Sequence, residues 1–179
     1  MARCRLRTSI SYGTVRPTGA GPGGTPGAPI SRSRSRAGGR RRDELAPGLV
    51  LSSPLQRARQ TAALTGHDAG VGIDDRLRKW DYGTAEGRTT EEIQQTDPGW
   101  TVWTHPIEGG EQLADVASRV DSLIGDLEGG PDDVLLFGHA HLFRILAARW
   151  CGLPPEYGAR FVLDPASVST LGHERATRC

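Results

Sequence analysis

The run Asp132-Asp133-Val134-Leu135-Leu136-Phe137-Gly138-His139-Ala140-His141-Leu142-Phe143-Arg144-Ile145-Leu146-Ala147 constrains this chain more than any other stretch. Its four consecutive apolar residues suit a buried parallel strand, the glycine lets the backbone turn tightly, and helical spacing resumes at once. His139 therefore stands where a strand gives way to a helix, the place where open α/β sheets bind their ligands. A helix N-terminus offers free N–H groups and the positive end of a dipole, which suits an anion such as phosphate. His139 is thus a candidate site residue whose partners must be found elsewhere in the chain.

From Leu45 onward the sequence alternates between strand and helix patterns. Gly48–Ser53 reads as a short strand, and Ser53-Pro54 as an N-cap followed by proline at the first helical position. The helix predicted from Pro54 to Leu64 turns Leu55, Ala58, Ala62 and Ala63 inward. A short helix is expected over Thr90–Gln95. An amphipathic one follows over Glu111–Leu127, ended by Gly129-Gly130-Pro131. The Val134–Phe137 strand and a helix over His141–Cys151 come next. Ala159–Leu163 and Ser167–Leu171 read as two antiparallel strands at a sheet edge. With 179 residues and 36% hydrophobic content, one α/β domain is expected. No stretch approaches the ~20 apolar residues of a membrane span, and the N-terminus lacks the apolar run of a secretory signal. A cytoplasmic protein without membrane contact is the expectation. Cys4, Cys151 and Cys179 are too scattered for a disulfide framework or a zinc site, and no metal or cofactor is anticipated.

The formal net charge of +1 conceals an asymmetry. Residues 1–44 carry ten arginines against Asp43 and Glu44, whereas residues 45–179 carry twelve basic and nineteen acidic groups. Gly, Pro, Ser, Thr and Arg dominate residues 1–44, and no period of 2 or 3.6 survives there. Such a segment cannot bury enough surface to offset its chain entropy, so it reads as a disordered basic tail. The Ser31–Arg36 alternation followed by Arg40-Arg41-Arg42 has no aromatic residues on which bases would stack, and nucleic acid is not the expected partner.

Four elements then occur in order. They are Ser52-Ser53-Pro54-Leu55-Gln56-Arg57-Ala58-Arg59-Gln60-Thr61-Ala62, then Trp80-Asp81-Tyr82-Gly83 with Glu86-Gly87, then Gly109-Gly110-Glu111, and finally Gly138-His139-Ala140-His141. Together they closely resemble the histidine phosphatase superfamily, the phosphoglycerate-mutase-like group. Trp80–Gly83 and Pro98–Trp103 look most like its small acid phosphatases. The resemblance spans residues 45 to about 175. It implies a three-layer α/β sandwich with a mostly parallel central sheet, and a metal-free reaction on a phosphorylated small molecule. In that reaction a histidine of an Arg-His-Gly turn after the first strand attacks phosphorus, and the phosphohistidine is then hydrolysed. By resemblance His139 and Arg57 are the catalytic pair that holds the phosphoryl group, with Ser53, Gly138, Ala140 and Lys79 as substrate contacts. A guanidinium stays charged at any working pH and its fork of donors matches phosphate, so the chemistry agrees for Arg57. His141 reads as structural. Trp80, Tyr82, Trp100 and Trp103 read as core or as a binding wall, and Glu111 as a helix cap or a substrate contact.

Two departures matter more than the matches. None of His67, His105, His139, His141 and His173 precedes residue 45, so the Arg-His-Gly nucleophile is absent as written. The carboxylate expected just before Trp80 is replaced by Lys79, the only lysine of the chain, and an ammonium group is a poor acid near neutral pH. Glu86 and Asp81 are the candidate replacements.

The genetic code suggests where the nucleophile went. Read one nucleotide earlier, the codons of Ser11-Tyr12-Gly13-Thr14-Val15 permit Val-Arg-His-Gly, with a threonine permitted two positions later. The same shift over Gly23–Arg34 permits Gly-Arg-His-Thr-Gly-Arg-Thr-Asp-Ile-Pro-Leu-Thr, which resembles the family's next segment. Residues 1–44 are accordingly read either as a disordered tail or as frameshifted, with the first strand and helix of a domain at 45–179 absent or disrupted. A phosphomonoesterase that is impaired or inactive in this form, a pseudoenzyme, is the leading expectation. A phosphoglycerate mutase-type phosphotransferase, and a non-catalytic phosphate- or nucleic-acid-binding protein, are the alternatives. Oligomeric state is not legible.

Overall fold

The computed structural model describes the backbone of residues 5–10, 47–174 and 177–178, and side chains from 47 to 173 and at 177 and 178. A five-stranded sheet runs through the domain in the order β3-β2-β4-β1-β5. Its strands are β1 (Arg5–Ile10), β2 (Leu49–Ser52), β3 (Gly72–Ile73), β4 (Asp133–Gly138) and β5 (Val168–Leu171). The first four are parallel and β5 runs antiparallel to β1. Two short strands, β6 (His173–Glu174) and β7 (Thr177–Arg178), form a separate antiparallel pair.

The sheet is covered on both faces, and β4 shows how the sequence achieves this. Its alternate side chains divide between two clusters, as a period of two requires. Val134 and Leu136 join the large core made with α3 (Leu113–Glu128) and α4 (Ala140–Trp150). Phe137, with Leu135, packs on the other face against Ala58 and Ala62 of α1 (Gln56–Leu64). The amphipathic spacing foreseen for α3 is met by burial of Val116, Val120, Leu123, Ile124 and Leu127. Thr89 and Glu92 form a capping box that starts the short α2 (Thr90–Gln94). Among the described residues no helix is long and apolar enough to cross a membrane.

Several expectations need correction. The first strand was expected to be absent or disrupted, yet Arg5–Ile10 fills an interior slot of the sheet, paired with β4 from Arg5↔Asp133 to Ile10↔Gly138 and with β5 from Leu6↔Leu171 to Ser9↔Val168. The physical reason is backbone demand: two strand edges flank this slot, and any extended segment without proline can satisfy their N–H and C=O groups. The first helix, the remainder of the basic segment and the shifted Arg-His-Gly position lie outside the described residues. Ser53 does not cap α1. Leu55 is the N-cap residue, and Ala63 faces outward. Ala159–Leu163 is not a strand, because Pro155–Arg160 winds into a 3-10 turn whose Gly158 and Ala159 carbonyls accept from Arg144 at 2.9 and 3.0 Å. A Cβ on Gly158 would lie 2.7 Å from the Trp103 ring, so glycine is what allows this close packing. β5 accordingly pairs with β1 alone.

Candidate functional site

The parallel strands β2 and β4 end together, Ser52 opposite Phe137, with the Ser53 N–H donating to the Phe137 carbonyl at 2.8 Å. This register brings Ser53 next to His139, the residue from which α4 springs. His139 has extended backbone angles (φ −131°, ψ 149°) and is the N-cap residue of α4, so the first turn of the helix opens beside it. Its imidazole is almost fully buried, 5% exposed. Nε2 lies 2.9 Å from the Ser53 hydroxyl. Across the ring, Arg57 from the first turn of α1 places Nε 3.3 Å and Nη2 3.2 Å from Nδ1. Burial, and then the positive charges of Arg57, Lys79 and Arg119, push the His139 pKa down from 6.5 to about 3. The ring is therefore neutral at physiological pH, with the guanidinium of Arg57 in direct contact with it.

Lys79 and Arg119 both line a cleft of about 440 Å³, together with Leu55, Trp80, Glu86 and Glu111. Each cation is held by a carboxylate. Lys79 Nζ lies 2.7 and 2.6 Å from the two oxygens of Glu86, which also accepts from the Tyr82 N–H at 3.2 Å. Arg119 grips Glu111 in a fork, with contacts of 2.8 and 3.0 Å, and donates to the Arg76 carbonyl at 2.6 Å. Glu111 is not the cap of α3. Gln112 is, in a capping box with Asp115. Glu111 instead ties the irregular Trp80–Asp81 segment to the start of α3, because its carbonyl accepts from Trp80 Nε1 at 2.8 Å and its carboxylate from the Asp81 N–H at 3.1 Å.

His141, in the first turn of α4, is enclosed. Its Nδ1 is hydrogen-bonded to the Tyr82 hydroxyl, and its ring meets those of Trp103, Tyr82 and Trp80 edge-on at centroid distances of 5.2, 5.8 and 6.4 Å. Burial and the charges of Arg144 and Lys79 push its pKa down to about 4. Trp80 is completely buried in the core while also backing the cleft.

His139, Arg57 and Ser53 thus meet at one sheet end, with Gly138 and Ala140 flanking His139 in sequence. Lys79 approaches through its charge and lines the adjoining cleft. Arg119 escaped sequence reasoning: it lies on a helix read only for its apolar face, and its contact with Glu111 depends on how the preceding loop folds back. Ser53 was anticipated among substrate contacts. In the structure it is fully buried and its hydroxyl serves His139 and, at 3.3 Å, the Leu55 N–H.

Residues 28–178 match the family model described as histidine phosphatase superfamily (branch 1). An acid phosphatase of Mycobacterium tuberculosis is 39% identical over 137 residues, covering 75% of this chain and 67% of that protein. The solved structure of the open reading frame Rv3214 product from the same organism superposes with a TM-score of 0.77 and 34% identity, over 98% of this chain and 94% of that one. The mycobacterial glucosyl-3-phosphoglycerate phosphatase Rv2419c, solved with inorganic phosphate, superposes with a TM-score of 0.67 and 26% identity, over 94% and 89% of the two chains. The chain spans between about half and two thirds of the length of the curated relatives it matches.

Proposed function

Because the chain belongs to the histidine phosphatase superfamily, branch 1, we propose that its sheet-end cluster receives the phosphoryl group of a phosphorylated small molecule in a phosphomonoesterase fold. The observation that carries this reading is the convergence of Arg57 and His139 from 82 positions apart to 3.2–3.3 Å, beside the N-terminus of α4. Arg57 supplies a permanent bidentate charge, His139 a neutral ring nitrogen, and Gly138 and Ala140 the turn that presents helix N–H groups. Ser53 backs the His139 ring through its hydroxyl, and Lys79 adds charge from the cleft. A titration with inorganic phosphate tests the site: saturable binding that His139→Ala and Arg57→Ala each weaken at least about tenfold supports it, and unchanged binding in both variants overturns it.

Turnover is a separate matter. A phosphohistidine pathway needs a histidine at the end of β1, and this sequence has none before residue 45. The parallel register Ile10↔Gly138 supports a reading in which the chain leaves β1 level with His139, just ahead of the stretch where the preceding frame permits Arg-His-Gly. We therefore propose that residues before about 44 are read out of frame, that residues 45–179 are the remainder of the domain, and that the chain in this form is inactive or nearly so. The nucleotide sequence decides the frame: if the preceding frame does not encode Arg-His-Gly across Tyr12 to Val15, the proposal is dead. Hydrolysis of an aryl phosphate at acid pH by this chain, abolished by His139→Ala, would overturn inactivity.

A second reading is favoured by one specific contact, the Lys79–Glu86 ion pair, because position 79 lies in the part of the chain that matches the family in frame. Correcting the frame would return a nucleophile but leave an ammonium where the leaving oxygen needs its proton. A phosphate-binding protein without catalysis fits that substitution, and it predicts that a frame-restored chain still fails to turn over unactivated alkyl phosphates.

A further inference from the structure

The contacts of His139 assign a direction to its ring, and we propose that Ser53 is a positioning residue that holds His139 as the Nε2–H tautomer, so that an incoming tetrahedral dianion draws Arg57 off Nδ1 and His139 takes up a proton there. This rests on the reading of the cluster as an anion site and adds to it a tautomer and a proton count.

The argument is one of donor and acceptor supply. A guanidinium has only donors, and two of its nitrogens lie 3.3 and 3.2 Å from Nδ1. Nδ1 must therefore carry a lone pair, which places the proton of the neutral ring on Nε2. Nε2–H then donates to Ser53 Oγ at 2.9 Å, and the same oxygen accepts from the Leu55 N–H at 3.3 Å. Ser53 cannot turn away, since it is fully buried and its own N–H is fixed to the Phe137 carbonyl at 2.8 Å. The buried side of the ring is thus closed, and Nδ1 is the nitrogen left to meet a ligand.

At that nitrogen Arg57 faces a choice. A charged oxyanion is a much stronger partner for a guanidinium than a neutral imidazole, so a bound dianion takes the Arg57 N–H groups. The Nδ1 lone pair then faces an anionic oxygen, two acceptors without a hydrogen between them, and a proton on Nδ1 resolves the conflict. Among the described residues the charges that bear on His139 are Arg57 from α1, Lys79 from the stretch after the 3-10 turn Asp75–Leu77, and Arg119 from α3, all cationic. Glu86 and Glu111 act behind the last two, each bound to its cation. A dianion at contact distance offsets this excess and favours an imidazolium.

Sulfate is a suitable probe because its own charge does not change near neutral pH. Long-range proton–nitrogen spectra of the uniformly ¹⁵N-labelled full chain should show His139 protonated at Nε2 and bare at Nδ1, and protonated at both once sulfate saturates. Calorimetry in two buffers of different ionisation heat should then find net proton uptake on sulfate binding that grows as the pH is lowered from neutral towards ~5, up to about one proton per sulfate, with affinity falling as the pH rises. Ser53→Ala should mix the tautomers and reduce proton uptake, and Ser53→Thr, which keeps the hydroxyl, should restore both. A proton on Nδ1 in the sulfate-free protein overturns the tautomer assignment. Sulfate binding that perturbs His139 without protonating it overturns the coupling while leaving the anion site standing. If saturating sulfate leaves every His139 resonance unmoved, the anion site itself falls, and the coupling with it.

Discussion

Arg57 lies with its Nη2 3.2 Å and its Nε 3.3 Å from Nδ1 of His139, a contact between the first turn of one helix and the residue that starts another. The two helices cover opposite faces of the sheet, and they meet only because β2 and β4 are parallel neighbours that end at the same level. A positive group held against a buried imidazole disfavours the imidazolium, so the pair is stable only while the ring stays neutral.

This has a consequence for acid stability. His139 and His141 are pushed down to about 3 and about 4 from an ordinary 6.5, so between those limits the unfolded chain binds more protons than the folded one. Their contribution is complete above pH 6.5 and is lost as the pH falls towards 3. Thermal melts should show Tm dropping steadily between neutral pH and pH ~4, and the drop should be shallower in His139→Gln. Parallel pH profiles for the two proteins would contradict the origin given.

The Arg119–Glu111 fork should contribute to stability as well as to the shape of the cleft. Arg119→Met leaves a half-buried carboxylate with one backbone donor and should cost about 1–3 kcal/mol in urea unfolding. Adding Glu111→Gln should recover part of that loss, because no charge is then stranded.

Gly138 is required by packing. A Cβ there would lie 2.8 Å from the nearest atom of the Phe143 ring, which is itself buried. Gly138→Ala should destabilise the domain by about 1–3 kcal/mol, and Gly138→Ala combined with Phe143→Leu should be milder than the sum of the single changes.

Lys79→Glu tests the charge at the mouth of the site. It replaces the Lys79–Glu86 pair by two carboxylates and removes a cation acting on His139. Phosphate affinity should fall by roughly tenfold at low salt, and the difference should shrink as ionic strength rises. An affinity equal to that of the unmodified chain would remove Lys79 from the site.

The interior position of β1, between β4 and β5, can be tested through its backbone. Thr8 pairs with Leu136 on one side and Ser169 on the other, so Thr8→Pro removes a donor from the middle of the sheet. Loss of soluble protein or of cooperative melting is expected. A normally folded Thr8→Pro would mean that Arg5–Ile10 is not the strand that closes the gap.

Much of this architecture was legible in the sequence, because the elements that carry it obey short-range rules. The apolar run Val134–Phe137 with its glycine and histidine, the helical period of Leu113–Leu127 and the alternation around Gly48–Ser53 each state a local structure and a buried face. His139 and Arg57 could be named as partners from the motifs in which they stand. The third strand of the sheet centre could not: Arg5–Ile10 has no periodicity to announce it, and its place follows from two strands that need a partner. Ala159–Leu163 looked extended and apolar, yet Arg144 and Trp103, remote in sequence, draw that segment into a turn.

The sequence by itself determined which donors and charges the chain offers at the strand-to-helix turn and along its motifs, and that no histidine precedes residue 45, since composition and order are properties of the chain alone. Only the tertiary structure decided how those groups face one another. The contact of Arg57 with His139, the capture of Glu111 by Arg119 and the pairing of Lys79 with Glu86 depend on distances of a few ångströms between separated segments. Hydrogen bonds and charges act over that range, whereas sequence patterns specify only neighbours along the chain.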